Sequence, residues 1–438
     1  MNTLALRVAQ GSRLPLSSEA TTYLVNLDIG GQKFWVTLDT GSSDLWVVST
    51  KCSTSECQEV VKYSPERSHT MSLSGKPFNI TYLVGSASGI VGTETVTLGP
   101  YQIPSQTFAL ANRTDNLDLV HTKNSGILGL AFPSLVSIEG TTVLDNVFDQ
   151  LSSATRFFAF KLGRYNSRTG ISSTSSFTIG GLDPLISSDA SQMAFFPVFR
   201  THDGPYDFWK LPIRAITINS QPLPLSHTVV PGADTPIGVL DTGTTLILGP
   251  SNDIEVFWNA VGTGNSVRYN QQSQIWEVRC NRAIDIRIKL GDGDSTKEFA
   301  LHPEDIIWDQ NSGDDGWCTG GLQASKVNSG DWILGDAFLR NVYTVHQGAT
   351  SSTPPMIGLL GVTDPQSALA DFQSVRGPDP APAPNIPTIP YSDHPQSDVS
   401  AIVSMACVVG GLVVAGLVIF IYKTMRMSKW EKARVVQV

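Results

Sequence analysis

The feature that most constrains this chain is a repeat. Leu38-Asp39-Thr40-Gly41-Ser42-Ser43 returns as Leu240-Asp241-Thr242-Gly243-Thr244-Thr245, and Gly126-Ile127-Leu128-Gly129-Leu130-Ala131-Phe132 is echoed by Ile333-Leu334-Gly335-Asp336-Ala337-Phe338. Asp39 precedes Ile127 by 88 residues and Asp241 precedes Ile333 by 92. Two motifs recurring in the same order at nearly the same separation imply two homologous lobes.

Each aspartate follows an apolar strand and precedes Thr-Gly-Ser/Thr. That is a tight turn whose glycine lets backbone and hydroxyl groups come close to the carboxylate. If a pseudo-twofold brings the turns together, Asp39 and Asp241 share one proton, because like charges in contact resist joint ionisation. One carboxylate is then a base for a bound water and the other an acid for a peptide carbonyl, so neither a covalent intermediate nor a cofactor is needed.

Runs such as TTYLVNLDI, KFWVTLD, ETVTLG, SFTIGG and AITINS alternate with Gly, Ser and Asn turns, while helices are expected only around Val143 to Leu151 and Asp253 to Val261. The body is therefore read as all-β. At 438 residues the chain exceeds one ordinary core. Boundaries are expected at 1–20 for an N-terminal extension, 21–190 and 191–362 for the two lobes, and 363–398 for a Pro-rich stalk. From Val399 to Tyr422 no residue is charged, long enough for one transmembrane helix. Residues 423–438 carry Lys423, Arg426, Lys429, Lys432 and Arg434 against Glu431. The positive-inside bias puts this tail in the cytosol and everything upstream in a lumen or outside the cell.

The net charge of −9 becomes more acidic once the basic tail is set aside. That argues against a nucleic-acid partner and suits an acidic compartment. The five cysteines, Cys52, Cys57, Cys280, Cys318 and Cys407, show no metal-ligand spacing, so no metal is expected. Two disulfides plus one thiol in the apolar run is the simplest count, and it fits an oxidising compartment. Asn79 and Asn112 head glycosylation sequons. The histidines at 69, 121, 202 and 302 have no recognisable companions and no GxSxG is present, so they read as solvated loop residues. Met1 to Ser18 lacks the apolar core of a secretory signal, from which a missing true beginning is expected.

LDTGSSDLW (38–46), ITYLVGSASGIVGTETV (80–96), GILGLAFP (126–133), VLDTGTT (239–245) and WILGDAFLRNVYTV (332–345) together resemble the pepsin-like aspartic peptidases, over about 21–362. The resemblance implies the bilobal pepsin-like fold and a largely monomeric catalytic domain acting on protein or peptide substrates, with Asp39 and Asp241 as the dyad. It implies that Ser42 and Thr244 bond the outer carboxylate oxygens, that Tyr82 sits on a hairpin flap steadied by Trp46, and that Gly41, Gly85, Ser86, Gly243 and Thr244 contact substrate. It also implies bridges Cys52–Cys57 and Cys280–Cys318. Leu83, Asn124, Ser125 and Thr245 depart from the usual pattern, and Leu83 and Asn124 bear on subsite preference. With Leu83 and Val84 at the flap tip and no carboxylate there, apolar residues are expected around the cut in preference to lysine. An inactive receptor on the same fold and a two-carboxylate glycosidase are the competing classes. The paired turns and Tyr82 argue against the first, and carboxylates in contact argue against the second.

Overall fold

The computed structural model describes residues 12–14, 16–19, 22–166, 171–202, 204–262, 264–293, 295–308, 316–326 and 330–379. The later part of the expected stalk, the apolar run 399–422 with Cys407, and the basic tail lie outside the described residues. Among the described residues, no helix is long and apolar enough to cross a membrane.

The architecture is bilobal and mostly β. In the first half, eight strands run in the order Leu16–Glu19, Thr22–Ile29, Gln32–Asp39, Gly126–Gly129, Leu45–Val48, Tyr101–Asp115, Ser86–Leu98, Ser72–Thr81. In the second half, Ile237–Leu240, Trp332–Leu334 and Ile247–Gly249 occupy the equivalent centre of another sheet. The repeat seen in the sequence is thus a repeat of pairing. Gln32–Asp39 runs parallel to Gly126–Gly129 with Leu38 opposite Leu128, and Ile237–Leu240 runs parallel to Trp332–Leu334 with Leu240 opposite Leu334. In each case a third strand, Leu45–Val48 or Ile247–Gly249, packs antiparallel on the other side of the Ile-Leu-Gly strand. Strands hemmed in on both edges are apolar throughout, as Ile237–Leu240 and Leu45–Val48 are.

A six-stranded sheet joins the halves. Its central pair is Phe157–Lys161 against Val342–Gln347, with Ala159 opposite Val345, so each half contributes one strand. Both are almost wholly buried.

The two expected helices appear as Val143–Phe148 and Ser251–Val261. Two boundary expectations need correction. Part of the expected N-terminal extension is sheet: Ser12–Leu14 pairs with Ser176–Ile179 and Leu16–Glu19 pairs with Thr22–Ile29. The expected stalk, in turn, starts with a helix, Pro365–Arg376, that buries Ala368 and Phe372. Its signals are local, since Asp364 accepts from the Ser367 N–H as N-cap, Pro365 sits at the first turn, and Ala368 and Phe372 share a face at i, i+4. The surrounding prolines mask that short apolar pair.

Candidate active site

The two Asp-Thr-Gly turns meet and interlock. Thr40 donates its hydroxyl to the Leu240 carbonyl (2.9 Å) and its N–H to Thr242 Oγ1 (3.1 Å). Thr242 reciprocates, with its hydroxyl on the Leu38 carbonyl (2.5 Å) and its N–H on Thr40 Oγ1 (3.0 Å). These four bonds bridge about 200 residues of sequence and are fully buried.

Each turn then fixes its own carboxylate in the same way. Gly41 N–H donates to Asp39 Oδ1 (2.8 Å) and Ser42 hydroxyl to Oδ2 (2.5 Å), while Gly243 N–H donates to Asp241 Oδ1 (2.8 Å) and Thr244 hydroxyl to Oδ2 (2.6 Å). The carboxylates are driven against the opposite turn. A β-carbon on Gly41 would overlap the Asp241 carboxylate, and one on Gly243 would overlap that of Asp39. Only glycine leaves the space.

Both aspartates are buried. Desolvation, and then the charge of Asp241, push the Asp39 carboxyl up to about 8, against the opposing hydrogen bonds of Ser42 and Gly41. Asp39 therefore holds a proton beside its neighbour at pH values where an ordinary carboxyl has lost it.

Ser72–Thr81 and Ser86–Leu98 form a hairpin with Thr81 opposite Ser86, closed where Tyr82 N–H donates to the Gly85 carbonyl (3.0 Å). Gly85 takes φ +82° against the Asn116 and Asp115 carbonyls, a left-handed backbone in a space without room for a side chain. Leu83 and Val84 stand exposed at the tip. Trp46, fully buried, donates its indole N–H to the Tyr82 hydroxyl at 2.7 Å. Burial and the nearby Asp39 charge raise the phenol further above its ordinary range, so it stays protonated. Between hairpin and dyad lies a cleft of about 920 Å³, lined by Asp39, Asp241, Tyr82 and both turn glycines among others.

A model of the family described as eukaryotic aspartyl protease matches residues 22–353. This chain belongs to that family. Among curated relatives of this aspartyl protease, chymosin of Camelus dromedarius is 32% identical over 343 residues, covering 78% of this chain and 82% of the relative. Pepsin A of Sus scrofa is 31% identical, covering 76% and 80%, and gastricsin of Homo sapiens is 29% identical with the same coverage. The aspartyl protease family is one of endopeptidases that hydrolyse peptide bonds.

The remaining expected residues fall in several places. Cys52 is bonded to Cys57, and Cys280 to Cys318. Asn79 is exposed on the hairpin, whereas Asn112 is half-buried with its Oδ1 accepting from Ser49 Oγ (2.7 Å). Among the described residues of this aspartyl protease, no group of three or more His, Cys, Asp or Glu is placed to hold a metal ion. His302 is not a solvated loop residue. It caps helix Pro303–Ile306, its Nδ1 accepting from the Glu304 N–H. Three groups escaped the sequence reading. Thr40 and Thr242 were visible only as motif letters, because their partners lie on the other lobe. Asp336, fully buried beside Thr244, whose carbonyl accepts its N–H (2.8 Å), has neither carboxylate oxygen hydrogen-bonded, and burial raises its carboxyl well above the usual range.

Proposed function

We propose that this aspartyl protease cleaves peptide bonds with a water held between Asp39 and Asp241, under a flap carried by Tyr82. The observation that carries this reading is the reciprocal Thr40–Thr242 interlock, which sets two equivalently hydrogen-bonded carboxylates against each other. With a proton on Asp39, the unprotonated Asp241 takes the proton of the attacking water while Asp39 protonates the carbonyl oxygen. Asp241 then passes its proton to the amide nitrogen as the C–N bond breaks, while a hydroxyl of the tetrahedral intermediate returns a proton to Asp39, so the pair ends with one proton again. Gly41, Gly85, Ser86, Gly243 and Thr244 border the substrate path in this reading, and Trp46 holds the Tyr82 phenol.

Digestion of denatured globin at acidic and neutral pH is the test. Asp39→Asn and Asp241→Asn should each abolish hydrolysis; turnover surviving either change overturns the mechanism.

We further propose a single-pass membrane protein with its catalytic body lumenal or extracellular and its basic tail cytosolic. The uncharged run 399–422 and the basic cluster after it support this. Release of the chain from membranes by alkaline carbonate would refute it. Glycosylation is assigned to Asn79 in preference to Asn112, because only the former side chain is exposed. Asn79→Gln should increase gel mobility, and a shift with Asn112→Gln alone would reverse the assignment.

A further inference from the structure

The cleft is lined asymmetrically about its own twofold. Thr37 lies two residues before Asp39 and pairs with Ile127; Val239 lies two residues before Asp241 and pairs with Ile333. Side chains two apart on a strand share a face, so Thr37 and Val239 flank their aspartates equivalently. The surroundings differ. Beside Val239 the cleft wall continues with Ile333 and Leu248, whereas beside Thr37 it continues with Ile127, the counterpart of Ile333, and Leu119, and adds the polar side chains of Thr22, Thr122 and Asn124.

The polar wall is an ordered network with donors to spare. Asn124 Oδ1 accepts from the Gly126 N–H (2.7 Å), and one amide N–H donates to Thr37 Oγ1 (2.8 Å). Thr37 Oγ1 lies 3.4 Å from Thr22 Oγ1. Thr22, Thr37 and Asn124 line the cleft and carry three further donors, the second Asn124 N–H and the Thr22 and Thr37 hydroxyls. Only the Thr22–Thr37 contact uses one of them within the protein, among the described residues. All three side chains are held in place and largely buried.

We propose that this wall is a specificity-determining subsite for a neutral side chain that offers a hydrogen-bond acceptor, asparagine or glutamine foremost. On the other side of the cut, the Val239–Leu248–Ile333 wall takes an apolar residue. An aliphatic side chain beside Thr37 would displace water from donors and leave them unpaired, the arrangement by which a hydrogen-bonding site rejects analogues lacking the polar group. An acidic side chain would meet the charge of the dyad. On the polar wall itself a lysine would find only hydroxyl oxygens free to accept its protons, since Asn124 Oδ1 is engaged by the Gly126 N–H. The inference narrows the expectation of apolar residues around the cut to one side of it, and it rests on the peptidase reading.

The test is a peptide library digested by the full chain, with the Asp39→Asn chain as blank, reading the residues that flank each cut. Asparagine or glutamine is expected at one flanking position, at least tenfold over leucine, with apolar residues at the other. Thr37→Val and Asn124→Leu, checked for unchanged melting temperature, should each shift only the polar position toward leucine. Apolar residues enriched on both sides, or lysine at either, overturn the subsite while the cuts themselves uphold the peptidase reading. Absence of any cut above the blank overturns both.

Discussion

His346 sits inside the sheet that joins the lobes, fully buried, with no hydrogen bond at either ring nitrogen. Phe158 stacks on it at 4.6 Å, Phe160 at 5.3 Å, and Trp209 meets it edge-on at 4.7 Å. Desolvation alone pulls its pKa down to about 3, with no charged group contributing. The neutral ring is therefore part of the fold, and protonation favours unfolding. Once pH falls below the ordinary histidine value the unfolded chain gains a proton that the native chain resists, so stability should drop between about pH 6.5 and 3. The full shift corresponds to on the order of 5 kcal/mol. Equilibrium unfolding of His346→Phe against the parent checks this: the variant should lose much less stability over that interval, and parallel curves would show that the ring does not control it. Asp39 sets the opposite limb. Because burial and the charge of Asp241 hold the shared proton above the ordinary carboxylate range, the fall of kcat/KM on the alkaline side should come above that range, and a fall centred within it, near about pH 4, would contradict the assignment.

Turns, hairpin and paired strands act as units, and their weak points follow from close approach. Gly41→Ala and Gly243→Ala put a methyl group where the opposite carboxylate lies. Each should cut kcat/KM by roughly a thousandfold or more, as expected when about 4 kcal/mol of transition-state stabilisation is lost. The disulfide-linked fold should survive, and near-normal turnover in either variant would mean that the carboxylates are farther apart in solution. Trp46→Phe keeps the buried ring but removes the donor to Tyr82, with a loss of about 1 kcal/mol, or roughly fivefold in kcat/KM. Single-turnover assays would detect it. How far each element was legible depends on how local its signal is. Strand alternation and the NxT and Asp-Thr-Gly strings are readable at sight, whereas helix Pro365–Arg376 has local signals, the Asp364 cap and the Ala368/Phe372 pair, too short to stand out beside the proline-rich text that follows.

At the scale of the molecule, that helix belongs to the catalytic body. Arg282, itself buried, donates to Asp379 beyond the helix (2.8 Å), and Asn281 donates to the Pro378 carbonyl (3.0 Å). Phe372→Ala should therefore destabilise the body by about 3 to 5 kcal/mol, read as a lower urea midpoint, while a mere stalk would show no change. The sequence by itself determined the two-lobed repeat, the order of the Asp-Thr-Gly and Ile-Leu-Gly segments, and the dyad candidates, because these are chemical strings repeated along one dimension. Only the tertiary structure decided that Thr40 and Thr242 lock the turns and that burial beside Asp241 raises Asp39. It also set polar Thr22, Thr37 and Asn124 against apolar Val239, Leu248 and Ile333 across the cleft. Desolvation and hydrogen bonding depend on which groups meet in space, and the partners in the interlocked turns stand as far as 204 positions apart in the chain.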